Sequence, residues 1–522
     1  MATVLLIAQI ITVLFLCVLY FGLRRGLPQP PGPKGLPIIG NMLTTPVTDL
    51  THQGLAKLAK QYGGIFHLRM GIQHMIVVSS PEMARQVLQV HDNIFSNRPA
   101  NIATSYLTYN RADLVFANYG PFWRQMRKLC VAKLFSRRRA ESWDSVRDRV
   151  DSAVRIVAAN AGRAFNVGEL VFSLTRGIVY QAAFGTSAME RQEEFVEILQ
   201  EFNKLYGVFN IADFIPWLRW IDPQRLNGRF TKARLSLDCF IDKIIDDHMR
   251  KKEDDMNNKG IGNHDDEADH SDMVDSLLAF YSREGDGSAK LVKESVEDLQ
   301  NFIKLTKDNI KAIIMDVMFG GTETAASVIE WTISELLRSP EELKIVQQEL
   351  ADIVGLDRRL EETDLEKLTY LKCVIKETLR LHPPVPLLPH ETSDHCEVGG
   401  YFIPKKSRVM INAWAIGRNN DFWEEAESFK PSRFLKNGAP DYKGSNFEYI
   451  PFGSGRRSCP GMQLGLFTVE MAVGHLLHCF RWELPEGMNP SELEMNDAFG
   501  LTAPRASRLV AVPTKRVLCR LS

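Results

Sequence analysis

The chain has no CxxC pair, no N-x-S/T sequon, no G-x-G-x-x-G fingerprint and no internal repeat, and its formal net charge is only -1. Each absence removes a class of protein. The eight cysteines (Cys17, Cys130, Cys239, Cys373, Cys396, Cys459, Cys479 and Cys519) are scattered, which indicates neither a zinc site nor a disulfide framework. Most of them read as small buried hydrophobes. Asn489-Pro490-Ser491 fails as a glycosylation site because of its proline. Both features lean towards a reducing, cytosol-facing body. The near-zero charge leaves no global basic field for nucleic acid. The missing dinucleotide fingerprint leaves no sign of a nicotinamide or flavin site of the chain's own, and there is no room for a fused flavin domain.

Charge is also missing locally. No charged residue stands between Ala2 and Leu23, and Arg24, Arg25 and Lys34 follow. At 1.5 Å per residue that run spans about 33 Å, enough for a hydrocarbon core of about 30 Å. A cleaved signal peptide would want a charged start and a small-residue cleavage site, and neither is evident. The expectation is therefore one N-terminal transmembrane helix in residues 1–25, with the basic flank keeping the body in the cytosol. Leu27-Pro28-Gln29-Pro30-Pro31-Gly32-Pro33 reads as a stiff extended hinge, residues 26–40, that holds the body at a set distance from the bilayer. An ordinary proline-rich linker is the plainer alternative.

What remains, residues 41–522, has an average composition for a globular protein, 45% hydrophobic and 24% charged over the whole chain. Length alone suggests about three domains. Only Lys251–Asp272 resembles a divider, and it fits a flexible surface loop of one large helical domain equally well. His264 and His270 stand there among carboxylates, either as a metal site or as solvated side chains. Thr306 to Leu337 has a long helical pattern, with Ile310, Ile313, Ile314, Val317 and Met318 on its apolar face. Ser339-Pro340-Glu341-Glu342 predicts a capped helix start. Strand-like runs occur at Ile65–Met70 and Met75–Ser79. The fold class is mainly α with a minor β-sheet.

The most informative segment is Pro451-Phe452-Gly453-Ser454-Gly455-Arg456-Arg457-Ser458-Cys459-Pro460-Gly461. Its glycines let the backbone turn tightly and approach a large flat ligand. An apolar helical run follows Pro460, so Cys459 stands near a helix N-terminus, where free N–H groups and the dipole favour an anion. That predicts a depressed thiol pKa. Arg457 can pair with a ligand carboxylate.

This segment resembles the haem signature of the cytochrome P-450 family, FxxGxRxCxG, at all five fixed positions. The resemblance implies the fold of that family and a haem b. Cys459 would be the axial thiolate and iron ligand, and Phe452 and Arg457 would be haem contacts. Trp123 and Arg127 match the WxxxR motif, whose side chains meet a haem propionate. Glu377 and Arg380 match ExxR; with Arg433 they would form a network beneath the haem. His390 stands where the family often has Arg. Gly320-Gly321-Thr322-Glu323-Thr324 resembles the oxygen-activation motif, with Glu323 and Thr324 as catalytic proton carriers. Read without the family, the two glycines mean either a packing contact or a local widening, each weakening a helix by about 1 kcal/mol.

The resemblance further implies O2, NADPH and a separate membrane-bound NADPH–cytochrome P-450 reductase, which Arg124, Arg127, Lys128, Lys133, Arg137, Arg138 and Arg139 would attract. It implies the endoplasmic reticulum membrane as location. Phe95–Ala100, Tyr119–Lys128, Asn210–Phe214, Ile314–Thr324 and Asn496–Pro504 resemble the plant ferulate (coniferaldehyde) 5-hydroxylases. That implies 5-hydroxylation of guaiacyl phenylpropanoids, with Asp316, Phe319, Val385, Leu387 and Leu501 at the substrate. Asp316 reads equally as a helix-surface carboxylate. The alternatives are a flavonoid 3'-hydroxylase, a member that only rearranges peroxides, and a non-catalytic haem carrier.

Overall fold

A computed structural model describes residues 27–37, 39–42, 50–135, 144–184, 192–258, 272–281 and 304–520. The expected anchor, residues 1–25, lies outside the described residues, as do His264, His270, Arg137, Arg138 and Arg139.

Helix α1 (His52–Tyr62) leads into the antiparallel hairpin β1 (Ile65–Met70) and β2 (Gln73–Val78). Helices α2 (Ile102–Leu107), α3 (Pro121–Lys133) and α4 (Asp144–Ala159) follow, then β3 (Phe165–Asn166), α5 (Val167–Phe184), α6 (Gln192–Tyr206) and α7 (Leu226–Asn258). Next come α8 (Lys307–Arg338), α9 (Pro340–Val354) and α10 (Thr369–Leu381). Strands β4 (Leu387–Glu391), β5 (Cys396–Val398), β6 (Tyr401–Ile403) and β7 (Arg408–Asn412) precede α11 (Met462–Cys479), β8 (Phe480–Glu483) and β9 (Val510–Lys515). The main sheet runs β1-β2-β7-β4, parallel only at β2–β7; β3-β9-β8 and β5-β6 form small antiparallel sheets.

The long apolar pattern becomes α8, the central helix. Thr306 starts it: its hydroxyl accepts from Asn309 N–H at 3.2 Å while the Asn309 side chain accepts from Thr306 N–H at 3.1 Å. This helix is long and apolar enough to cross a membrane, but 67% of its most apolar window is buried in protein, so it is a core helix. Its first half (Ile310, Ile313, Ile314, Met318) packs into one apolar core with α3, α5, α6 and α7. Its second half (Ala325, Ile329, Ile333, Leu336) packs into another with α4, α10 and α11. The changeover falls at residues 319–324, and Leu464 in the first turn of α11 touches both cores.

Three expectations are corrected. The hinge is not a free spacer. Pro31 O accepts from His67 N–H at 2.8 Å and Pro28 O from Phe402 N–H at 2.9 Å, so the prolines lie along β1 and β6. Residues 251–258 are not loop but the end of α7, because helix propagation needs no apolar face once started. Ser339 makes no side-chain cap for α9. It also ends α8, where its N–H bonds Glu335 O at 2.9 Å, and its φ of -122° and ψ of 74° suit that role.

Candidate active site

The cysteine loop sits between the two cores. Cys459 N–H donates to Phe452 O at 2.9 Å, closing the turn just ahead of α11. Gly453 and Gly455 hold φ of 69° and 67°. A Cβ on Gly455 would lie 2.4 Å from Leu88 O. Asp92 ties the loop down through Arg456, at 2.6 Å. The Cys459 side chain keeps accessible surface, yet burial is what raises its pKa most, so that surface faces an enclosed space and not bulk solvent. Gly461 N–H and Arg127 pull the other way without winning. The expected depression by the helix terminus is therefore overturned. Ionisation here requires a cation bonded to the sulfur.

Beside the loop lies a cluster of arginines. Arg457 donates to Ser96 O at 2.7 Å, to Leu114 O at 3.3 Å and to Ala117 O, and stacks 4.3 Å over the Trp123 ring. Arg127 lies 5.4 Å over the same ring and donates to Ser458 Oγ at 3.1 Å. Arg98 donates to Pro389 O and Val115 O, and Arg111 to Phe116 O at 2.7 Å and Arg98 O at 2.8 Å. None of these hydrogen bonds ends on a carboxylate. Burial and mutual repulsion push Arg457 down to about 9, and Arg98, where burial leads and Arg127 repels, to about 10. Buried cations need counter-charge, and a flat ligand bearing two carboxylates supplies it. Thiol, arginines and glycine turn together fit a haem.

Two members of the predicted set take other work. The Trp123 indole N–H donates to Leu114 O at 2.9 Å, so this side chain braces the arginines and is not a free donor. His390 is buried and donates from Nδ1 to Phe95 O at 2.8 Å. Burial, with Arg98 and Arg457 nearby, lowers its pKa to about 3. A neutral ring bonded this way presents Nε2 as an acceptor, so it offers a carboxylate no proton. The sequence reading does not single out Arg98 or Arg111, since only the fold brings them to Arg457.

On the opposite wall, α8 runs unbroken through its glycines. No local widening is seen, and the packing reading holds at one of the two residues. A Cβ on Gly321 would meet Val179 Cγ2 at 2.9 Å, a packing contact with α5, whereas one on Gly320 meets nothing within 4 Å. The Thr324 hydroxyl donates to Gly320 O, and Glu323 Oε2 accepts from Thr502 Oγ1 at 2.9 Å. Phe319 meets Tyr206 edge-on at 5.3 Å, and Tyr206 stacks with Phe116 at 5.8 Å. Asp316 is neither a surface group nor free for a ligand. Its Oδ2 accepts from Leu114 N–H at 2.7 Å and Val115 N–H at 3.1 Å. Val385 is half-buried and Leu501 is exposed beside Thr502. Leu387 packs into the sheet core with Leu55, Phe66, Leu68 and Val77. Strand alternation instead turns Leu388 to within 3.7 Å of a Cβ built on Gly453.

Beneath the loop, Glu377 accepts from Arg380 Nε at 2.7 Å and Nη2 at 2.8 Å, from Arg433 Nε at 3.0 Å and from Lys430 N–H at 2.8 Å. Arg380 spends its remaining donors on Gly417 O, Ala426 O and Ser428 O. Its guanidinium lies 5.1 Å from the Trp423 ring, which touches Tyr449 two residues before the cysteine loop.

A cysteine at a glycine turn, beside arginines whose hydrogen bonds end on no carboxylate, fits a haem-thiolate protein. The comparisons agree. The cytochrome P-450 family model matches residues 30–510. Cytochrome P-450 84A1 of Arabidopsis thaliana is 65% identical over 512 residues, covering 98% of this chain and 96% of that one. Flavonoid 3'-monooxygenase of the same plant is 38% identical over 534 residues, covering 99% and 98%. A zebrafish cytochrome P-450 solved with abiraterone has the same fold, with a TM-score of 0.71 at 24% identity, covering 89% of this chain and 99% of that one. The chain belongs to the cytochrome P-450 family. It is a monooxygenase of the plant type that uses haem with thiolate-ligated iron and takes electrons from a redox partner reductase.

Proposed function

We propose that this monooxygenase hydroxylates the aromatic 5-position of guaiacyl phenylpropanoids (coniferaldehyde, coniferyl alcohol and ferulate), a step towards syringyl lignin, with Cys459 as the axial ligand. The observation that supports the substrate reading is the aromatic group Phe116, Tyr206 and Phe319, the last of which precedes Gly320, where an added Cβ would meet nothing. The five sequence stretches that resemble the 5-hydroxylases support it. When bound, the haem supplies reductive activation of O2 at an iron made electron-rich by its thiolate.

The chain's own groups do the rest. Arg98, Arg127 and Arg457 hold the propionates. Glu323, which accepts from Thr502, and Thr324, whose lone pairs stay free to accept while its hydrogen rests on Gly320 O, would each pass protons inward. Together they feed the protons that reduction of O2 to water consumes. Glu323→Gln should lower product formation on the order of a hundredfold with haem content unchanged. Thr324→Val should divert electrons to peroxide, so that product per NADPH consumed falls. An unaltered ratio of product to NADPH in both variants removes these two residues from the reaction.

NADPH–cytochrome P-450 reductase, anchored in the same endoplasmic reticulum membrane, is the proposed donor. Arg124, Lys128 and Lys133 are exposed on α3 to meet it, whereas Arg127 turns inward. Residues 1–25 would be the single membrane pass, with the body in the cytosol.

The second reading is flavonoid 3'-hydroxylation, which the 38% identical relative favours by its name. Microsomes containing the protein and reductase, given coniferaldehyde and a flavonoid in competition, decide between them. Preferential 5-hydroxyconiferaldehyde supports the first reading and preferential flavonoid product replaces it. Val385→Phe and Leu388→Phe should each narrow the pocket and shift the ratio among aldehyde, alcohol and acid products several-fold, on the order of 1–2 kcal/mol of discrimination. Product ratios indistinguishable from wild type would move both side chains out of the pocket.

A further inference from the structure

Two carboxyl groups meet with no cation hydrogen-bonded to either; Arg111, Arg98 and Arg457 face Asp113 from farther off. Asp316, in the middle of α8, is joined by a hydrogen bond to Asp113 in the segment between α2 and α3. Asp113 Oδ2 accepts from Phe116 N–H at 3.0 Å, while its Oδ1 is buried with no protein donor. Two carboxylates repel; a carboxyl and a carboxylate bond each other strongly by sharing a hydrogen. A single proton between them therefore satisfies the orphaned oxygen.

The segment they hold is not ornamental. Between them the two aspartates fix the amides of Leu114, Val115 and Phe116. The carbonyls of that same stretch receive the site's cations: Leu114 O takes Trp123 and Arg457, Phe116 O takes Arg111, and Ala117 O takes Arg457. The Phe116 ring stacks on Tyr206.

We propose that Asp113 and Asp316 share one proton and act as a single positioning pair, latching residues 113–117 to α8 and so setting both the substrate ceiling and the arginine cluster. This rests on the proposed monooxygenase site but not on the identity of its substrate.

Burial raises both groups, Asp113 to about 6 and Asp316 well above the ordinary carboxylate range, with each other's charge adding to Asp316. The pair titrates in two steps, and the shared-proton state lies between them. Raising the pH past the upper step leaves two adjacent anions and opens the latch. The groups that face the pair are Arg111, Arg98 and Arg457 towards Asp113, Cys130 of α3 towards Asp316, and Tyr206 of α6 towards both. Cys130 and Tyr206 are themselves pushed up by burial and stay neutral below that step.

The test is spectral titration of the haem-loaded protein with 4-phenylpyridine, a neutral ring that binds at the iron, and separately with coniferaldehyde, from about pH 6.5 to about pH 9.5. The wild type should lose about tenfold in 4-phenylpyridine affinity across that range, one pKa-coupled step. Asp316→Asn still accepts from Leu114 and Val115 and offers an N–H2 to Asp113, so it should bind as tightly at both ends. Asp316→Leu should bind about tenfold more weakly throughout. The remaining arginines are the same in Asp316→Asn and cannot account for the difference. A flat wild-type profile, identical profiles for wild type and Asp316→Asn, or an Asp316→Leu variant of wild-type affinity each overturns the pair. If Asp316→Leu fails to take up haem, wild type against Asp316→Asn decides alone. Failure of coniferaldehyde to bind while 4-phenylpyridine follows the pattern sinks the substrate reading and leaves the pair standing.

Discussion

Cys459→Ser, purified, reduced and exposed to carbon monoxide, should show no thiolate-type red-shifted Soret band, and hydroxylation should fall by about a thousandfold or more, ~4 kcal/mol of barrier. The backbone that presents this atom does not depend on it: Cys459 N–H to Phe452 O and the left-handed glycines at 453 and 455 remain with serine in place. The change is therefore confined to the donor atom. Burial raises the pKa of this thiol, so the thiolate proposed here would need the metal's charge to hold it. An alcohol is far harder to ionise in the same buried place, so the serine variant presents a neutral, hard oxygen in place of a soft anion. Haem uptake through the arginines should survive in part, which separates loss of the ligand from loss of the pocket. A serine variant that retained the red-shifted band would remove Cys459 from the iron.

How much of this was legible beforehand follows from what each feature depends on. The cysteine loop is local: its glycines, proline and cysteine act within eleven residues, so spacing alone exposes them. The ladder of β1 and β2 and the start of α8 at Thr306 are local too. The arginine cluster is not. Arg98 and Arg457 lie 359 positions apart and meet only in the fold, where Arg457 donates to Ser96 O two residues before Arg98. Asp316 was readable as a carboxylate on a helix, but its partner Asp113 sits on an irregular segment with no periodicity to place it. The pKa of Cys459 went the opposite way to expectation because a helix terminus acts over one turn, whereas burial acts from every side. Leu387 and Leu388 show the smallest such error: one residue of strand register decides which of them faces the cysteine loop.

Glu377→Ala should all but abolish recovery of haem-loaded protein, while Glu377→Gln should lose less. Both Glu377 and Arg380 are fully buried, and every donor of Arg380 is engaged: two on Glu377 and the others on the carbonyls of residues 417, 426 and 428. Those carbonyls belong to the chain that runs towards Tyr449 and the cysteine loop, so the network converts a helix pair into an anchor for the ligand. Removing the carboxylate strands the Arg380 charge and leaves Arg433 only carbonyl partners, a penalty of about 3–5 kcal/mol. That is a large part of the 5–15 kcal/mol that separates folded from unfolded in a typical protein. Glutamine keeps one carbonyl acceptor for the Arg380 fork but no charge, which places it between alanine and wild type. Arg380→Lys should resemble the alanine variant, because three donors on a flexible stem cannot replace five in a rigid fork. The measurement is the yield of protein giving the red-shifted carbon monoxide band, set against total protein by immunoblot. A Glu377→Ala protein recovered at wild-type yield, with its band intact at raised temperature, would mean that the buried charge is compensated elsewhere and that the cysteine loop stands without this support.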